Sequence, residues 1–147
     1  MTVLGKAAIN TYKEDIMDSD LRMHLFLLSK IRETPRQFLL EKSLAFLTHF
    51  IQGYSYRHHV EEWEATTGLD FTMHCEETRH IPSTRAPEFA KFMRQFYRYV
   101  CLHYNQEFSS YSPMTIISMN SNSEEEAFDK YFELLDEFLK KRGIEYP

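Results

Sequence analysis

A long amphipathic helix at residues 123–143 is the feature that most constrains how this chain can fold. Ser123 and Glu126 stand three residues apart, the pattern of a capping box, in which each side chain satisfies a backbone amide that the first turn leaves free. Gly143 suits the left-handed conformation with which many helices end. The apolar side of this helix carries Phe128, Tyr131, Phe132, Leu135, Phe138 and Leu139. A helix of this kind buries its apolar side against other elements, so the segment predicts a helical core.

The opposite side of the same helix is acidic and carries Glu125, Asp129, Glu133 and Asp136. A row of carboxylates is most often a solvated helix face. Next to tyrosines it also suits a cationic partner, because opposite charge speeds association and aromatic rings prolong it. Both interpretations stay open at the level of the sequence.

The first half of the chain has the spacing of three further helices. The first of them has an apolar face made by Leu21, Leu25, Leu28 and Ile31. It ends before Pro35, because the proline ring pushes the preceding residue out of the helical region. A second helix begins at Ser43 and weakens at Gly53, and a third closes at Gly68.

The second half adds a central helix and two segments without a clear period. From about residue 87, an apolar stripe runs over five turns and comprises Phe89, Phe92, Met93, Phe96, Val100 and Tyr104. We expect the last helix to pack beside it, with Phe128, Phe132 and Leu135 meeting Phe92, Phe96 and Val100. Residues 69–83 are predicted to be a loop, and residues 112–119 fit either a short strand or a buried helical turn. The pattern therefore predicts an all-α or nearly all-α fold, a compact single-domain bundle of about five helices over residues 1–147.

Charge and composition exclude several classes of function. The chain carries 17 Lys+Arg against 22 Asp+Glu, a net charge of −5, with an excess of acids toward its C-terminal end. Phosphates would be repelled, so we expect no nucleic acid partner. The longest apolar runs are far shorter than the roughly 20 residues that cross a bilayer, and the charged start of the chain lacks the pattern of a signal peptide. We expect a soluble, cytoplasmic protein without membrane association.

A group of histidines with one cysteine is the strongest enzyme-like feature, and it comprises His58, His59, His74, Cys75 and His80. His58 and Glu62 are four residues apart on a predicted helix and could approach one metal ion. The spacing matches no zinc motif, however, and two adjacent histidines on a helix point in different directions. We therefore expect no metal site here.

A thiol mechanism at Cys75 is the other catalytic possibility, and it needs His74 or His80 as the base. Nothing in the sequence resembles an oxyanion loop, and the four glycines are isolated, so no segment could cradle a phosphate. We expect neither catalysis nor a bound cofactor and assign no catalytic residue.

Two stretches of the chain resemble a group of small bacterial proteins. Residues 28–35 (LSKIRETP), followed by 41–44 (EKSL) and 50–54 (FIQGY), are similar to an opening that reads Ile-Arg-x-x-Pro, a short loop, Ser-Leu and an aromatic helix ending in Gly-Tyr. Residues 123–139 resemble the closing helix of the group, and residues 60–63 (VEEW) more loosely resemble a middle helix. The likeness covers about two-thirds of the chain. The chain departs from it by lacking the usual glycine before Ser43 and by inserting the 74–87 region.

Proteins of this group are often found as immunity proteins beside polymorphic or contact-dependent growth inhibition toxins. The resemblance therefore implies a protein without enzymatic activity that binds and neutralises a cognate toxin domain by occluding its active site or substrate groove. An acidic inhibitor suits a basic toxin. On this interpretation, we expect electrostatic contacts from Asp129, Glu133, Asp136 and Glu137, and aromatic anchors at Tyr54, Tyr56 and Trp63.

Two alternatives stand beside this hypothesis. One is a metal- or thiol-dependent enzyme that uses the histidine and cysteine group. The other is a helical scaffold that forms homo-oligomers through exposed aromatic residues.

Overall fold

The structure is a computed structural model in which residues 19–81, 88–107 and 109–147 are described. All regular secondary structure in these ranges is helical, and they contain no strand. The helices are α1 (Ser19–Glu33), α2 (Pro35–Phe38), α3 (Leu44–Thr67), α4 (Phe71–Thr78), α5 (Glu88–His103), α6 (Pro113–Met119) and α7 (Glu124–Arg142). The predicted all-α class is confirmed, and the described residues form seven helices rather than about five.

The core is built by five of these helices. α1, α3, α5, α6 and α7 all contribute buried apolar side chains, whereas α2 and α4 contribute none. α7 is the most deeply packed helix, because its apolar side lies against α3, α5 and α6. Its buried residues are Ala127, Phe128, Tyr131, Phe132, Leu134, Leu135, Phe138 and Leu139.

The predicted packing of the last helix beside the central helix is confirmed, with a different set of ring contacts. The ring of Phe138 lies 5.3 Å from that of Phe92, and the ring of Tyr131 lies 5.4 Å from that of Phe96. Phe128 and Phe132 have other neighbours. Lys42, in the segment before α3, lies over the ring of Phe128, and Arg32 of α1 lies over the ring of Phe132.

α3 is a single helix of 24 residues, and the prediction of two helices separated near Gly53 is wrong. Its start is as predicted, since Ser43 accepts a hydrogen bond from the amide of Phe46 at 3.4 Å. Its end is also as predicted, because Gly68 takes a left-handed conformation with φ of 70°. A helical glycine costs about 1 kcal/mol relative to alanine, which is too little to interrupt a helix that is continuous on both sides.

Residues 69–83 are not all loop, because they include the eight-residue helix α4; residues 82 and 83 lie outside the described ranges. Asp70 caps α4 by accepting a hydrogen bond from the amide of Met73 at 2.9 Å. Residues 113–119 form helix α6, so the helical alternative is the correct one there. Ser112 caps it through the amide of Thr115 at 3.2 Å, and the proline that follows Ser112 stands in the first turn, where no amide hydrogen is needed.

None of the described helices is both long enough and apolar enough to span a bilayer.

Candidate interaction surfaces

Two of the four acids predicted to contact a partner form ion pairs with cations that lie outside α7. Nη1 of Arg32 lies 2.9 Å and 2.8 Å from the two carboxylate oxygens of Asp136. Nζ of Lys42 donates a hydrogen bond to Oδ2 of Asp129 at 3.0 Å, and this bond raises the pKa of Lys42. These pairs join α7 to α1 and to the segment before α3, so both acids hold the bundle together.

The other two predicted acids also have partners on this chain. Glu133 lies 3.4 Å from Nζ of Lys130, one turn away on α7. Glu137 accepts a hydrogen bond from the hydroxyl of Tyr99 at 2.9 Å. Burial and this hydrogen bond raise the pKa of Tyr99. The role of these four acids as partner contacts stays a prediction, and their side chains are engaged within the fold.

A further acid of α7, which the sequence analysis did not single out for a structural role, caps a neighbouring helix. The carboxylate of Glu124 lies 3.1 Å from the hydroxyl of Ser43 and 3.0 Å from the amide of Ala45. It therefore supplies an acceptor to the first turn of α3, whose amides have no acceptor within the helix. An open cleft of about 650 Å³ adjoins this contact and is lined by Thr34, Pro35, Arg36, Gln37, Glu41, Lys42, Glu124 and Glu125.

Residues 52–81 form a helical arm, which comprises the C-terminal part of α3, the turn at 68–70, α4 and the three residues after it. No side chain in these residues is buried. Residues 52–67 extend roughly 24 Å, at about 1.5 Å per residue. α4 folds back on α3 through aromatic contacts, in which the ring of Trp63 lies 5.5 Å from Phe71 and 4.9 Å from His74.

The helical arm is strongly acidic. Its acids are Glu61, Glu62, Glu64, Asp70, Glu76 and Glu77, and its basic residues are Arg57 and Arg79. Arg57 is already paired, since its Nε lies 3.0 Å from Glu61. Among the described residues, the structure gives no salt bridge to the other five acids of the arm. With six acids against two basic residues, the arm carries an excess of four negative charges.

Large apolar side chains are also exposed on the helical arm. The exposed fraction is 53% for Tyr56, 52% for Leu69, 59% for Met73 and 63% for Ile81. The ring of Tyr56 lies 6.2 Å from Phe71, so it belongs to the same aromatic contact between α3 and α4. All three predicted aromatic anchors lie within the arm. Two of them, Tyr56 and Trp63, lie beside its exposed apolar and acidic groups.

The third predicted anchor, Tyr54, lies where the helical arm joins the core. Its ring is 4.8 Å from that of His24, which is buried and stacks at 3.8 Å on Phe89. Tyr54 is only partly exposed. His24 was not predicted from the sequence to be buried. Its position three residues after Leu21 and four before Leu28 places it on the apolar side of α1, and this spacing was the available signal.

The histidine and cysteine group is distributed along the same arm. The ring of His58 lies 5.6 Å from that of His24, whereas the ring of His74 packs on Trp63. Cys75 is a free thiol and partly exposed. Within residues 19–81, 88–107 and 109–147, no three His, Cys, Asp or Glu side chains are grouped so that they could hold a metal ion.

Three phenols lie in or near the core, one on α5, one on α7 and one after α7. Burial raises the pKa of Tyr97 to about 12 and raises that of Tyr131 well above its usual value. The hydroxyl of Tyr131 is fully buried and makes no hydrogen bond to a described residue. Burial also raises the pKa of Tyr146, with a further contribution from the carboxylate of Asp136.

The fold and these surfaces define an all-α protein with an acidic helical arm. No protein-family model, curated protein or solved structure matches this chain.

Proposed function

We propose that this protein is an immunity protein that binds a cognate bacterial toxin domain and neutralises it by occluding the active site or substrate groove of the toxin. The observation that carries the proposal is the helical arm, in which thirty successive residues place no side chain in the core and expose four large apolar ones. Exposed apolar groups rimmed by charge are typical of surfaces that meet another macromolecule.

The rest of the molecule supports occlusion as the mechanism. The arm continues helix α3, whose first turns are fixed in the core by Leu44, Leu47 and Ile51. A surface built on a helix that is anchored in this way loses little conformational freedom when it binds. Its length, roughly 24 Å for residues 52–67, is sufficient to cover a substrate groove.

Co-expression tests this function directly. The proposal predicts that a large secreted protein is encoded directly beside the gene for this chain, and the C-terminal domain of that protein is the toxin domain to be used. We expect bacteria that produce the toxin domain alone to stop growing, and bacteria that also produce this chain to grow. A purified mixture of the two proteins should elute as one complex in size-exclusion chromatography. Continued growth arrest, or neutralisation without a complex, would contradict the proposal.

A further inference from the structure

The predicted contact acids of α7 and the acids of the helical arm differ in their partners. On α7, each of the four acids predicted as contacts has a hydrogen bond or an ion pair to a residue of the same chain. On the helical arm, only Glu61 has a cationic partner among the described residues. A carboxylate already paired with a cation attracts a second cation less strongly, because the field of the pair largely cancels. The unpaired acids of the arm are therefore stronger attractors of a basic partner than Asp129, Glu133 and Asp136, each of which is paired with a cation.

Helix α4 presents two of these acids, Glu76 and Glu77, together with the apolar Met73 on its outer face. Phe71 and His74 contact Trp63, so they mark the inner face that lies on α3. Met73 and Glu77 are four residues apart and so lie one above the other on the helix. Both are exposed, as is Glu76, and none of them has a salt bridge or ring contact to another described residue.

We infer that Leu69, in the turn before α4, together with Met73, Glu76 and Glu77 on the outer face of α4, forms the surface that docks on a basic protein surface of the toxin. This inference rests on the proposed function and names the contact within it. Leu69 and Met73 supply the apolar centre, since each is more than half exposed. Glu76 and Glu77 supply the charge that steers the basic partner and matches it.

The location differs from the acidic row of α7 expected from the sequence. Reversal of charge on the α4 face and reversal on the α7 row therefore have different consequences. The α7 acids Asp129 and Asp136 pair with cations outside α7, so their loss acts on the stability of the fold. Glu76 and Glu77 join nothing in the described chain, so their loss acts on association with the partner.

Binding kinetics with the neighbouring toxin domain test the assignment, with inactivated toxin immobilised for surface plasmon resonance. E76K/E77K should lower the association rate constant by about tenfold and weaken its dependence on salt. M73A should leave the association rate nearly unchanged and raise the dissociation rate by about threefold or more. The matched control is E41K/E145K, which changes net charge equally at two exposed acids that lie away from the arm and have no salt bridge to a described residue.

The outcomes separate the two proposals. If the unmodified chain neither binds nor neutralises the toxin domain, the proposed function and this inference both fall. If the unmodified chain binds and E76K/E77K binds as well as E41K/E145K does, only the assignment of α4 falls. It also falls if D129K/E133K weakens binding more than E76K/E77K does while the fold, measured by circular dichroism, is retained.

A second copy of this chain is the other possible occupant of the α4 face. Light scattering on the isolated chain distinguishes it, because a dimer that E76K/E77K converts to a monomer would overturn the inference. A monomer in both cases agrees with it.

Discussion

The carboxylate of Glu124 bonds to the hydroxyl of Ser43, so the first residue of α7 caps the start of α3 from 81 positions away in the chain. The same carboxylate also accepts a hydrogen bond from the amide of Ala45 at 3.0 Å. Ser43 in turn accepts a hydrogen bond from the amide of Phe46. The start of α3 is therefore held by its own cap and by a second helix, and the helical arm extends from this fixed point.

Removal of this interhelical cap should destabilise the protein. We expect E124A to lower the free energy of unfolding by about 1 kcal/mol, because an amide and a hydroxyl lose their acceptor. Urea unfolding followed by circular dichroism measures the change. E145A is the matched control, since Glu145 is exposed and has no salt bridge or side-chain hydrogen bond to a described residue. Equal unfolding midpoints for the two variants would contradict a capping role.

The ion pair between Arg32 and Asp136 should contribute to stability through a coupling energy between the two residues. Both side chains are about two-fifths exposed, so solvent screening limits the coupling to about 0.5–1 kcal/mol. A double-mutant cycle of R32A and D136A measures it. The cycle of K130A and E133A is the comparison, and a smaller coupling is expected there because the pair is longer and lies within one helix. The assignment is wrong if the two substitutions of the first cycle are additive.

Two glycine substitutions should have opposite signs. Gly53 lies inside α3, and a β-carbon built there meets nothing within 4 Å, so G53A should raise the free energy of unfolding by about 1 kcal/mol. Gly68 has equal space around it but a φ of 70°, so G68A should lower the free energy by about 1 kcal/mol. Comparison of the two variants separates the effect of backbone conformation on stability from the effect of packing around the new β-carbon. A stabilising effect of G68A in thermal unfolding would show that the turn after α3 is not left-handed.

The buried hydroxyl of Tyr131 should be dispensable for stability. It makes no hydrogen bond to a described residue, so Y131F removes the cost of burying a polar group without breaking a bond. We expect the free energy of unfolding to stay unchanged or to rise by up to about 1 kcal/mol. Y99F provides the contrast, because the hydroxyl of Tyr99 donates to Glu137 and its loss should be mildly destabilising. Marked destabilisation by Y131F in urea would disprove this account of the site.

Stability should decline in alkaline solution through the buried phenols. Burial raises the pKa of Tyr97 from 10.0 to about 12, so the unfolded chain releases this proton before the folded chain does. The contribution is fully present below pH 10 and is lost as the pH rises toward 12. Y97F should remove on the order of 1 kcal/mol of this pH dependence. Urea unfolding at pH 8, 10 and 11 tests it, and parallel curves for Y97F and the unmodified chain would count against it.

Periodicity predicted the core helices α1, α5 and α7, and the two helices outside the core that it missed have a common physical reason. α2 and α4 contribute no buried side chain, so their residues have no repeating apolar face for the pattern to detect. Gly53 illustrates a second limit. Its low helix propensity suggested a boundary, but the cost of one glycine is small beside the hydrogen bonds of a continuous helix. Residues 113–119 illustrate a third, since a run of seven residues with apolar groups on several sides has no decisive period.

The candidate surface was predictable only in part. The sequence pointed to Tyr56 and Trp63, and both lie on the helical arm with its exposed acids. It also pointed to Asp129 and Asp136, whose cations lie 87 and 104 residues away in the chain. A pairing between such distant residues depends on the tertiary fold and has no local signal. For that reason the solvated face of a helix and an interhelical ion pair look alike in sequence.

No side chain in residues 52–81 is buried. The residues that stabilise the fold and the residues that would bind a partner are therefore different ones, although these two demands usually compete. Substitutions on the outer face of α4 do not disturb the packed interior, so natural selection or an engineer can alter them freely while the bundle keeps its shape. A lineage could thus acquire a new binding preference by changing a few outward-pointing positions. Libraries randomised at Leu69, Met73, Glu76 and Glu77 should accordingly yield mostly well-folded members.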